Sequence, residues 1–300
     1  MGSVVNMNAK MIFWQALTPV HPGTGQDSSS VIDLPVAREA ATGFPVIPAS
    51  SLKGVLRDGR GLEKNDESED ATVARRVFGY AGKKKKSDSE EEEDISQAAE
   101  LTLTDARVLF LPVRSYAGTF AFLTCPLVLE RLQRDQKALE CDQKALDCSK
   151  FEATIPNLGQ TEALLPQNTQ IVHGDKVILE DIDLEAKVGT ADALVQELGQ
   201  LVFGEESGYF VERFALVSND VFAYFSEMGM EIIARVKLDS DSKTVVRGGL
   251  WYEEAIPAET VFSSFAIGKD GFEELNRPYL QIGGQASVGR GLLRRLGGGV

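Results

Sequence analysis

The segment from Leu17 to Asp58 joins a predicted strand to a predicted helix, and it reads LTPVHPGTGQDSSSVIDLPVAREAATGFPVIPASSLKGVLRD. The residues just before it, Lys10–Leu17, are apolar and predict a β-strand. Ser50 or Ser51 can cap a helix that continues to about Arg57. Strand, loop and helix in this order are typical of the first half of a split βαβ unit, as in ferredoxin-like folds.

The polar loop inside this segment, His21–Asp33, contains glycines, serines and two acidic residues, and it has nothing that would pack into a core. Asp33 directly follows two β-branched residues, so we expect a well-positioned backbone at that point. The sequence leaves open whether Asp27 and Asp33 lie close enough to act as an acid pair. An ordinary surface loop therefore stays open as an interpretation, and His21 can equally be structural.

The rest of the chain alternates between strand and helix patterns. Predicted strands are Leu101–Val113, Thr119–Leu123, Glu231–Leu238, Val245–Tyr252 and Thr260–Ile267. Predicted helices run from Pro126 to about Leu146 and from Ala191 to Phe203, and Asn219 can cap a short third one. The segment Phe151–Val172 shows no period. This order predicts an α+β fold, for which a split βαβ arrangement of the ferredoxin-like kind fits best, and 300 residues are enough for one large domain or two small ones.

Composition favours a soluble protein, because 43% hydrophobic and 25% charged residues are ordinary values for a globular chain. No apolar run approaches the roughly 18 residues that a membrane helix needs. We therefore expect a cytoplasmic protein with no membrane partner. The formal net charge of −14 argues against nucleic-acid binding, unless the acidic residues are concentrated away from the binding surface.

Part of the acidic charge is indeed concentrated, in residues 62–100. This segment contains the run KKKKSDSEEEED at Lys83–Asp94, and blocks of one sign stay solvated. We expect a flexible surface insertion there, with an interaction tail as the alternative. The near-tandem heptads at Asp135–Cys148 predict a lengthened helix and no chemistry.

Several common sites are excluded by their missing motifs: P-loop, GxSxG, HExxH, EF-hand and dinucleotide-binding patterns are all absent. Three cysteines without a CxxC pair, and two histidines, make a structural zinc site improbable on composition. Free thiols are the simple interpretation of Cys125, Cys141 and Cys148.

Two segments have the residue types that bind phosphate. The first, IGGQASVGRG at Ile282–Gly291, combines glycine amides with Arg290, and the alternative is a tight turn before a final strand. The second is the helix after Ser51, where Lys53 and Arg57 share one face and the helix start could offer free amides. A solvated charged face is the alternative for this helix.

Taken together, the motifs resemble the RAMP superfamily of CRISPR proteins, and within it the backbone subunit of type III-B (Cmr) effector complexes. Leu17–Asp58 carries most of the resemblance. Three further segments agree with it, LTDARVLFLPVRSYAGTFAFLTCPLVLERLQRD at Leu103–Asp135, GGLWYEEAIP at Gly248–Pro257 and YLQIGGQASVGRGLL at Tyr279–Leu293. Segment 62–100 and the heptad duplication depart from the family pattern.

The resemblance implies a single domain over residues 1–300, with a modified ferredoxin-like, RRM-like palm, peripheral insertions such as residues 62–100, and a hairpin thumb, here expected at residues 150–186. It implies copies stacked along a guide RNA (crRNA), other Cmr subunits as partners, and a target RNA cut at regular intervals. Cleavage in the family depends on a divalent metal, here expected to be Mg²⁺ or Mn²⁺.

The resemblance also assigns residues. The family's catalytic acid corresponds to Asp33 in VIDLPVARE, as base or metal ligand, and Asp27 does not match that position. His21 and Glu253 or Glu254 are weaker candidates for supporting roles. RNA backbone contacts are expected from a set comprising Ser51, Lys53, Arg57, Gly283, Gly284, Gly289 and Arg290.

Two alternatives remain at this point. The chain can be an RNA-binding scaffold subunit without its own catalysis. It can also be a guide-processing ribonuclease of the same superfamily that works without a metal. Both keep the fold and differ in the role of Asp33.

Overall fold

The computed structural model describes residues 8–25, 32–58, 68–80, 83–85, 92–94, 96–140, 150–269 and 271–297. For residues 83–85, 92–94 and 139–140 the description is limited to the backbone.

Sixteen strands occur within these ranges. They are β1 Asn8–Ala16, β2 Val46–Ile47, β3 Lys83–Lys85, β4 Glu92–Asp94, β5 Leu101–Leu103, β6 Ala106–Arg114, β7 Phe120–Thr124, β8 Glu162–Leu165, β9 Lys176–Leu179, β10 Ile182–Val188, β11 Phe214–Val217, β12 Glu231–Leu238, β13 Val245–Ala255, β14 Val261–Gly268, β15 Tyr279–Gln281 and β16 Leu292–Leu296.

Six α-helices accompany them in the described ranges. They are α1 Ala49–Asp58, α2 Glu69–Phe78, α3 Pro126–Glu140, α4 Asp192–Phe203, α5 Ser207–Val211 and α6 Asn219–Met228. The predicted α+β class is therefore confirmed. None of these helices has both the length and the apolar character needed to cross a bilayer.

One mixed sheet dominates the described part of the chain. Its strand order is β15-β16-β1-β14-β6-β7-β11-β8-β10-β9, with β2 added beside β6 and β5 beside β14. Strand β1 lies between β16 and β14 and is antiparallel to both, so that Phe13 faces Ser263 on one side and Leu296 on the other. The first strand of the chain therefore ties its last strands into the sheet.

The core covers both faces of this sheet, and most side chains of β1 are buried, which explains its continuous apolar pattern. Trp14 is 1% exposed, and its indole Nε1 donates to Ser264 Oγ at 3.1 Å. A second part of the core is aromatic: Phe110 of β6 packs against Phe203 of α4 and Phe210 of α5. These contacts hold α4 and α5 against the sheet.

Helix α1 begins one residue before the predicted cap, so the prediction of a serine cap is wrong. Ser50 and Ser51 lie inside the helix, and the Pro48 carbonyl accepts from the Ser51 amide at 2.9 Å. The Ala49 amide instead donates to Asp105 Oδ1 at 2.8 Å. A carboxylate from a distant part of the chain therefore satisfies the helix start, which a local pattern does not reveal.

Three further predictions on elements need correction. The single strand expected at Leu101–Val113 is broken into β5 and β6, because the Thr104 hydroxyl accepts from the Phe265 amide and Asp105 turns toward α1. Ser218 caps α6, not Asn219: its hydroxyl accepts from the Val221 amide. The segment expected to be irregular contains β8, which pairs with β11 and β10.

The predicted acidic insertion is packed in part. Helix α2 lies within residues 62–100, and its Ala74, Val77 and Phe78 are buried in the main core. Ser68 caps this helix through a bond from the Ala71 amide to its hydroxyl. The expectation of a flexible insertion therefore fails for α2, while residues 86–91 of the charged run and residues 141–149 lie outside the described residues.

Strands β12 and β13 form a separate two-stranded hairpin beside the main sheet. Several of its apolar side chains are exposed to solvent, namely Ile232, Val236, Leu238, Val245, Leu250 and Tyr252. The predicted thumb segment 150–186 has a different setting, because its strands β8, β9 and most of β10 belong to the main sheet. The thumb boundaries stay a prediction.

Candidate active site

Asp33 lies against the edge of β13. Its Oδ2 accepts a hydrogen bond from the Tyr252 amide at 2.8 Å. The next residue, Leu34, pairs in parallel with Glu253, and its amide donates to the Tyr252 carbonyl at 3.1 Å. Within the described part of the chain Asp33 Oδ1 has no hydrogen-bond partner. One carboxylate oxygen is thus fixed, and the other is open in the sense that no described group bonds to it.

His21 is buried directly behind this edge. Its Nδ1 lies 2.6 Å from the Glu254 carbonyl oxygen, which can only accept, so Nδ1 is the donor in this contact. A Cβ at Gly23 would lie 2.7 Å from Nε2, so this position leaves room for the ring. The site can therefore hold His21 in one tautomer.

Glu254 is buried as well, and both of its carboxylate oxygens are occupied. Oε2 accepts from the Val36 amide at 2.9 Å, and Oε1 forms an ion pair with Arg38 Nη2. Arg38 Nη1 also donates to the Ser226 carbonyl at 2.8 Å. Because a buried charge needs such partners, Glu254 anchors the loop segment that carries Asp33 through the Val36 amide and Arg38.

Glu253 points to the opposite face of β13 and is 1% exposed. Its Oε1 accepts from Trp251 Nε1 at 2.9 Å and from Gln285 Nε2 at 3.2 Å, and Arg235 Nε lies 3.8 Å away. Its Oε2 is buried without a hydrogen-bond partner. This burial favours the supporting role that was considered for Glu253 over direct contact with RNA.

The glycine-rich loop between β15 and β16 is docked on the segment that carries His21. The Gly284 amide donates to the His21 carbonyl at 3.2 Å, and the Gly291 amide donates to the Pro19 carbonyl at 2.8 Å. Gly283 has φ of 80°, and a Cβ there would collide with the His21 carbonyl oxygen. A glycine is therefore required at this contact.

The expected cradle of free loop amides is only partly available. The Gly284, Gly289 and Arg290 amides all donate to carbonyls within the protein. Arg290 itself is half-buried, and its Nη1 has no hydrogen-bond partner. Burial raises the pKa of the Glu231 carboxyl, and the positive charge of Arg290 offsets part of that rise. Nη1 is itself buried, so phosphate binding by Arg290, the one cation of Ile282–Gly291, stays a prediction.

The other predicted RNA-binding residues lie on α1, which packs against β15, the strand before the glycine-rich loop. Burial, and then the neighbouring Arg57, lower the pKa of Lys53. Arg57 is exposed, and its ion pair with the adjacent Asp58 is a weak surface contact of 3.3 Å. The Ser51 amide is used inside the helix, so Ser51 would have to reach RNA through its hydroxyl.

The structure therefore brings Asp33, His21, Glu253 and the glycine-rich loop together and places the α1 cations on a neighbouring element. The sequence interpretation missed four side chains around Glu253 and Glu254, namely Arg38, Arg235, Trp251 and Gln285. A weak signal existed for Gln285, the polar residue directly after a glycine pair in GGQASVGRG.

A metal at this site would have few ligands from the described residues, which contain no group of three acidic, histidine or cysteine side chains arranged for a metal. Mg²⁺ is commonly held by one or two carboxylates together with substrate phosphates and water. The open Oδ1 of Asp33 fits that arrangement. The thiol of Cys125 is remote from such chemistry, because burial raises its pKa to about 12.

Residues 15–294 match the family model described as the RAMP superfamily, which spans both the Asp33 segment and the glycine-rich loop. The chain belongs to the RAMP superfamily. This RAMP chain is 35% identical over 305 residues to the CRISPR system Cmr endoribonuclease Cmr4 of Pyrococcus furiosus, covering 96% of the chain and 95% of that protein. It is 22% identical to the CRISPR system CMR subunit Cmr4 of Saccharolobus solfataricus, with 95% and 94% covered.

Solved structures agree with this membership. Oligomeric Cmr4 from Pyrococcus furiosus superposes with a TM-score of 0.69 at 30% identity, and 95% of the RAMP chain and 96% of that chain are covered. A chain of the type III-B Cmr-beta complex bound to cognate target RNA gives a TM-score of 0.68 at 22% identity, with 96% of both chains covered. The second likeness supports the fold alone.

Proposed function

We propose that this RAMP chain is a guide-RNA-binding filament subunit of a type III-B CRISPR effector complex and that it cleaves target RNA with Asp33. The observation that carries the proposal is the Asp33 carboxylate, with one oxygen fixed by the Tyr252 amide and the other open. The likeness to a named Cmr endoribonuclease along nearly the whole chain supports the reaction type.

Asp33 can serve the reaction in two ways. Its open oxygen can accept the proton of a ribose 2′-hydroxyl, which then attacks the adjacent phosphate. The alternative is that Asp33 holds a divalent metal, Mg²⁺ or Mn²⁺, which when bound would neutralise charge on the phosphate. In both cases the Tyr252 amide keeps the carboxylate in place, and His21 and Glu254 hold the surrounding backbone.

RNA binding by this chain is proposed to be independent of base sequence. Lys53, Arg57 and Arg290 can each contact phosphates, and the Ser51 hydroxyl can contact a phosphate or a 2′-hydroxyl. The loop backbone can approach RNA closely at Gly283, Gly284 and Gly289. The amides of Gly284 and Gly289 already donate to carbonyls of the protein. Base pairing between guide and target supplies the sequence recognition in such systems.

Self-assembly and other Cmr subunits are part of the same proposal. The P. furiosus relative is described as oligomeric, and the hairpin β12–β13 here exposes an apolar face that a second copy could cover. Guide RNA and target RNA are the proposed nucleic-acid partners, and the cytoplasm is the proposed location. A filament of this kind needs no net positive charge, provided that its groove is basic.

We also propose that the centre of the main sheet is a modified ferredoxin-like palm. The order β16-β1-β14-β6 has antiparallel neighbours throughout, as expected for two interleaved βαβ units. Helices α1 and α2 lie between β1 and β6 in the chain. In its described residues, the second crossover, between β14 and β16, has two short 3₁₀ turns, at Phe272–Asn276 and Ala286–Val288, with β15 between them and no α-helix, and this is the modification.

The interval between cuts is proposed to be set by a hairpin thumb. Segment 150–186 supplies one candidate turn, between β9 and β10 at the sheet edge, and β12–β13 supplies a second hairpin outside the main sheet. Shortening each turn in separate variants and mapping the cut positions would distinguish the two.

The proposal is tested with the complex reconstituted from this chain, its partner subunits, a guide RNA and a complementary labelled target. We expect a ladder of products at regular intervals, which disappears with a chelator and returns with Mg²⁺ or Mn²⁺. A non-complementary target should stay intact. Cleavage that persists in the chelator would favour the metal-free ribonuclease, and tight binding without any cleavage would favour the scaffold.

A further inference from the structure

We propose that Gln285 is a positioning residue for Asp33, because its side chain ties the glycine-rich loop to the base of the β12–β13 hairpin. The inference rests on the proposed function, since it concerns the geometry of the same carboxylate. Gln285 itself need not contact RNA for this role.

The amide group of Gln285 bridges two charged side chains. Arg235 Nη2 donates to Gln285 Oε1 at 2.8 Å, and Gln285 Nε2 donates to Glu253 Oε1 at 3.2 Å. The amide orientation is fixed by its partners, because a guanidinium can only donate and a carboxylate can only accept. A glutamine side chain satisfies both partners at once.

The backbone of Gln285 also calls for an explanation. Its φ is 66°, in the left-handed region that favours glycine, and four of the nine other residues in Ile282–Gly291 are glycines. A glycine at this position would be free of backbone strain. The two side-chain hydrogen bonds give a physical reason for a glutamine in a conformation that it adopts reluctantly.

A short series of contacts leads from Gln285 to Asp33. Glu253, which receives the Gln285 hydrogen bond, pairs through its backbone with Leu34. The residue before it, Tyr252, donates its amide to Asp33 Oδ2 at 2.8 Å. The strand edge that holds Asp33 is therefore fixed from one face through Glu253 and from the other through Glu254.

The burial of Glu253 makes this link sensitive to Gln285. The carboxylate is 1% exposed, and its Oε2 already lacks a hydrogen-bond partner. Removing the Gln285 amide takes away one of the two direct hydrogen-bond donors to Oε1, which leaves Trp251 Nε1 and the more distant Arg235. A buried carboxylate with fewer donors draws in water or shifts, and the attached strand shifts with it.

The test uses the reconstituted complex with Gln285→Gly, and with Ala286→Gly as the matched control in the same loop. Gln285→Gly relieves the backbone and removes the bridge, whereas Ala286→Gly adds similar flexibility and leaves the bridge intact. Each complex is assayed for target-RNA affinity, for the single-turnover cleavage rate at saturating target, and for hydrogen exchange in a peptide that contains Tyr252.

We expect Gln285→Gly to lower the single-turnover rate roughly 10- to 100-fold, the size seen when a reacting group is misplaced by about 1 Å. RNA affinity should stay within about twofold of the unmodified complex, and exchange at the Tyr252 amide should become faster. Ala286→Gly should change none of the three. Glu253→Gln should lower the rate to a similar extent, and combining it with Gln285→Gly should add little, because both act through one link.

Two results would overturn the inference: an unchanged rate with unchanged exchange at Tyr252, or a loss of affinity that accounts for the whole loss of rate. The second result would make Gln285 an RNA-contacting residue. Failure of the proposed function looks different, because the unmodified complex would then not cleave at all.

Discussion

At the scale of single residues, burial distinguishes the three acidic side chains Asp33, Glu253 and Glu254, which the sequence alone does not distinguish. Asp33 keeps an open oxygen at a strand edge, while Glu253 and Glu254 are both buried, Glu254 with donors on both oxygens and Glu253 with donors on Oε1 alone. The sequence placed all three near one site through the resemblance to a family. It could not show which of them faces outward, because that depends on the docking of a loop more than two hundred residues away from Asp33.

Glu231 offers a test of burial at this scale. Burial raises the pKa of its carboxyl above the ordinary value of 4.5, with Arg290 acting in the opposite direction. The folded state therefore binds this proton more tightly than the unfolded state, and the resulting stability is present below about pH 4.5 and lost as the pH rises. We expect Glu231→Gln to raise the melting temperature at pH 7 and to change it less at pH 4.5.

Thermal unfolding of the two proteins at both pH values measures this. Glu227→Gln, which replaces an exposed acidic residue of α6, is the matched control and should leave the melting temperature nearly unchanged at both pH values. A lower melting temperature of Glu231→Gln at pH 7 would show that the attraction to Arg290 outweighs burial.

At the scale of helices and strands, apolar periodicity was sufficient to predict that an element is present. The local capping signals were not sufficient to predict where α1 begins. The buried stripe of α4 and the strand β14 were predicted because apolar spacing reports on the face that meets the core, whereas the apolar side chains that predicted β12 are exposed. The start of α1 was missed because its amide bonds to Asp105, which no local capping rule includes. The same aspartate breaks the strand that was expected to continue through it.

The contact of Asp105 with α1 should stabilise the fold. Asp105→Ala removes the acceptor of the Ala49 amide and a negative charge near the helix start, so the free energy of unfolding should fall by about 1 kcal/mol. Asp58→Ala at the other end of α1 is the matched control, since an acid at a helix C-terminus is not favourable. Urea unfolding of both variants checks this, and equal losses would contradict the proposed cap.

The exposed face of α1 should contribute charge to RNA binding without reading bases. Replacing Lys53 and Arg57 by alanine should weaken binding of all sequences alike and reduce the salt slope of log K by roughly 1.4, about 0.7 per lost cation. Arg134→Ala with Lys137→Ala on α3 is a control of equal charge. RNA affinities measured across a salt series test this prediction. A loss of affinity restricted to some RNA sequences would argue against a phosphate-binding role.

At the scale of the whole molecule, the sheet draws distant parts of the chain to one site. The Asp33 segment, the hairpin base and the glycine-rich loop meet because β1 pairs with both β14 and β16. Strand order of this kind is not readable from periodicity, so the role of Asp33 was predicted from the resemblance and not from the pattern, and it stays a prediction. The packed α2 was missed for a related reason, since an acidic average hides its apolar face.

The apolar face of β12–β13 should mediate contact between copies. Val236→Lys and Leu250→Lys both replace exposed side chains, so the melting temperature should change little while self-assembly on guide RNA is weakened. Size-exclusion chromatography with light scattering measures the assembly. Val288→Lys is the control substitution, because it also replaces an exposed apolar side chain by lysine but lies in the glycine-rich loop, outside the hairpin. Assemblies of unchanged mass would exclude the hairpin face from the contact between copies.

The central claim concerns the carboxyl group of Asp33, and single-turnover cleavage by complexes containing Asp33→Asn tests it most directly. Asparagine keeps the shape and the bond to the Tyr252 amide but cannot accept a proton or bind a metal strongly. We predict a loss of cleavage of about 100-fold or more with target affinity unchanged, whereas Asp27→Asn in the same loop should cleave normally. Cleavage by Asp33→Asn at the unmodified rate would contradict the account.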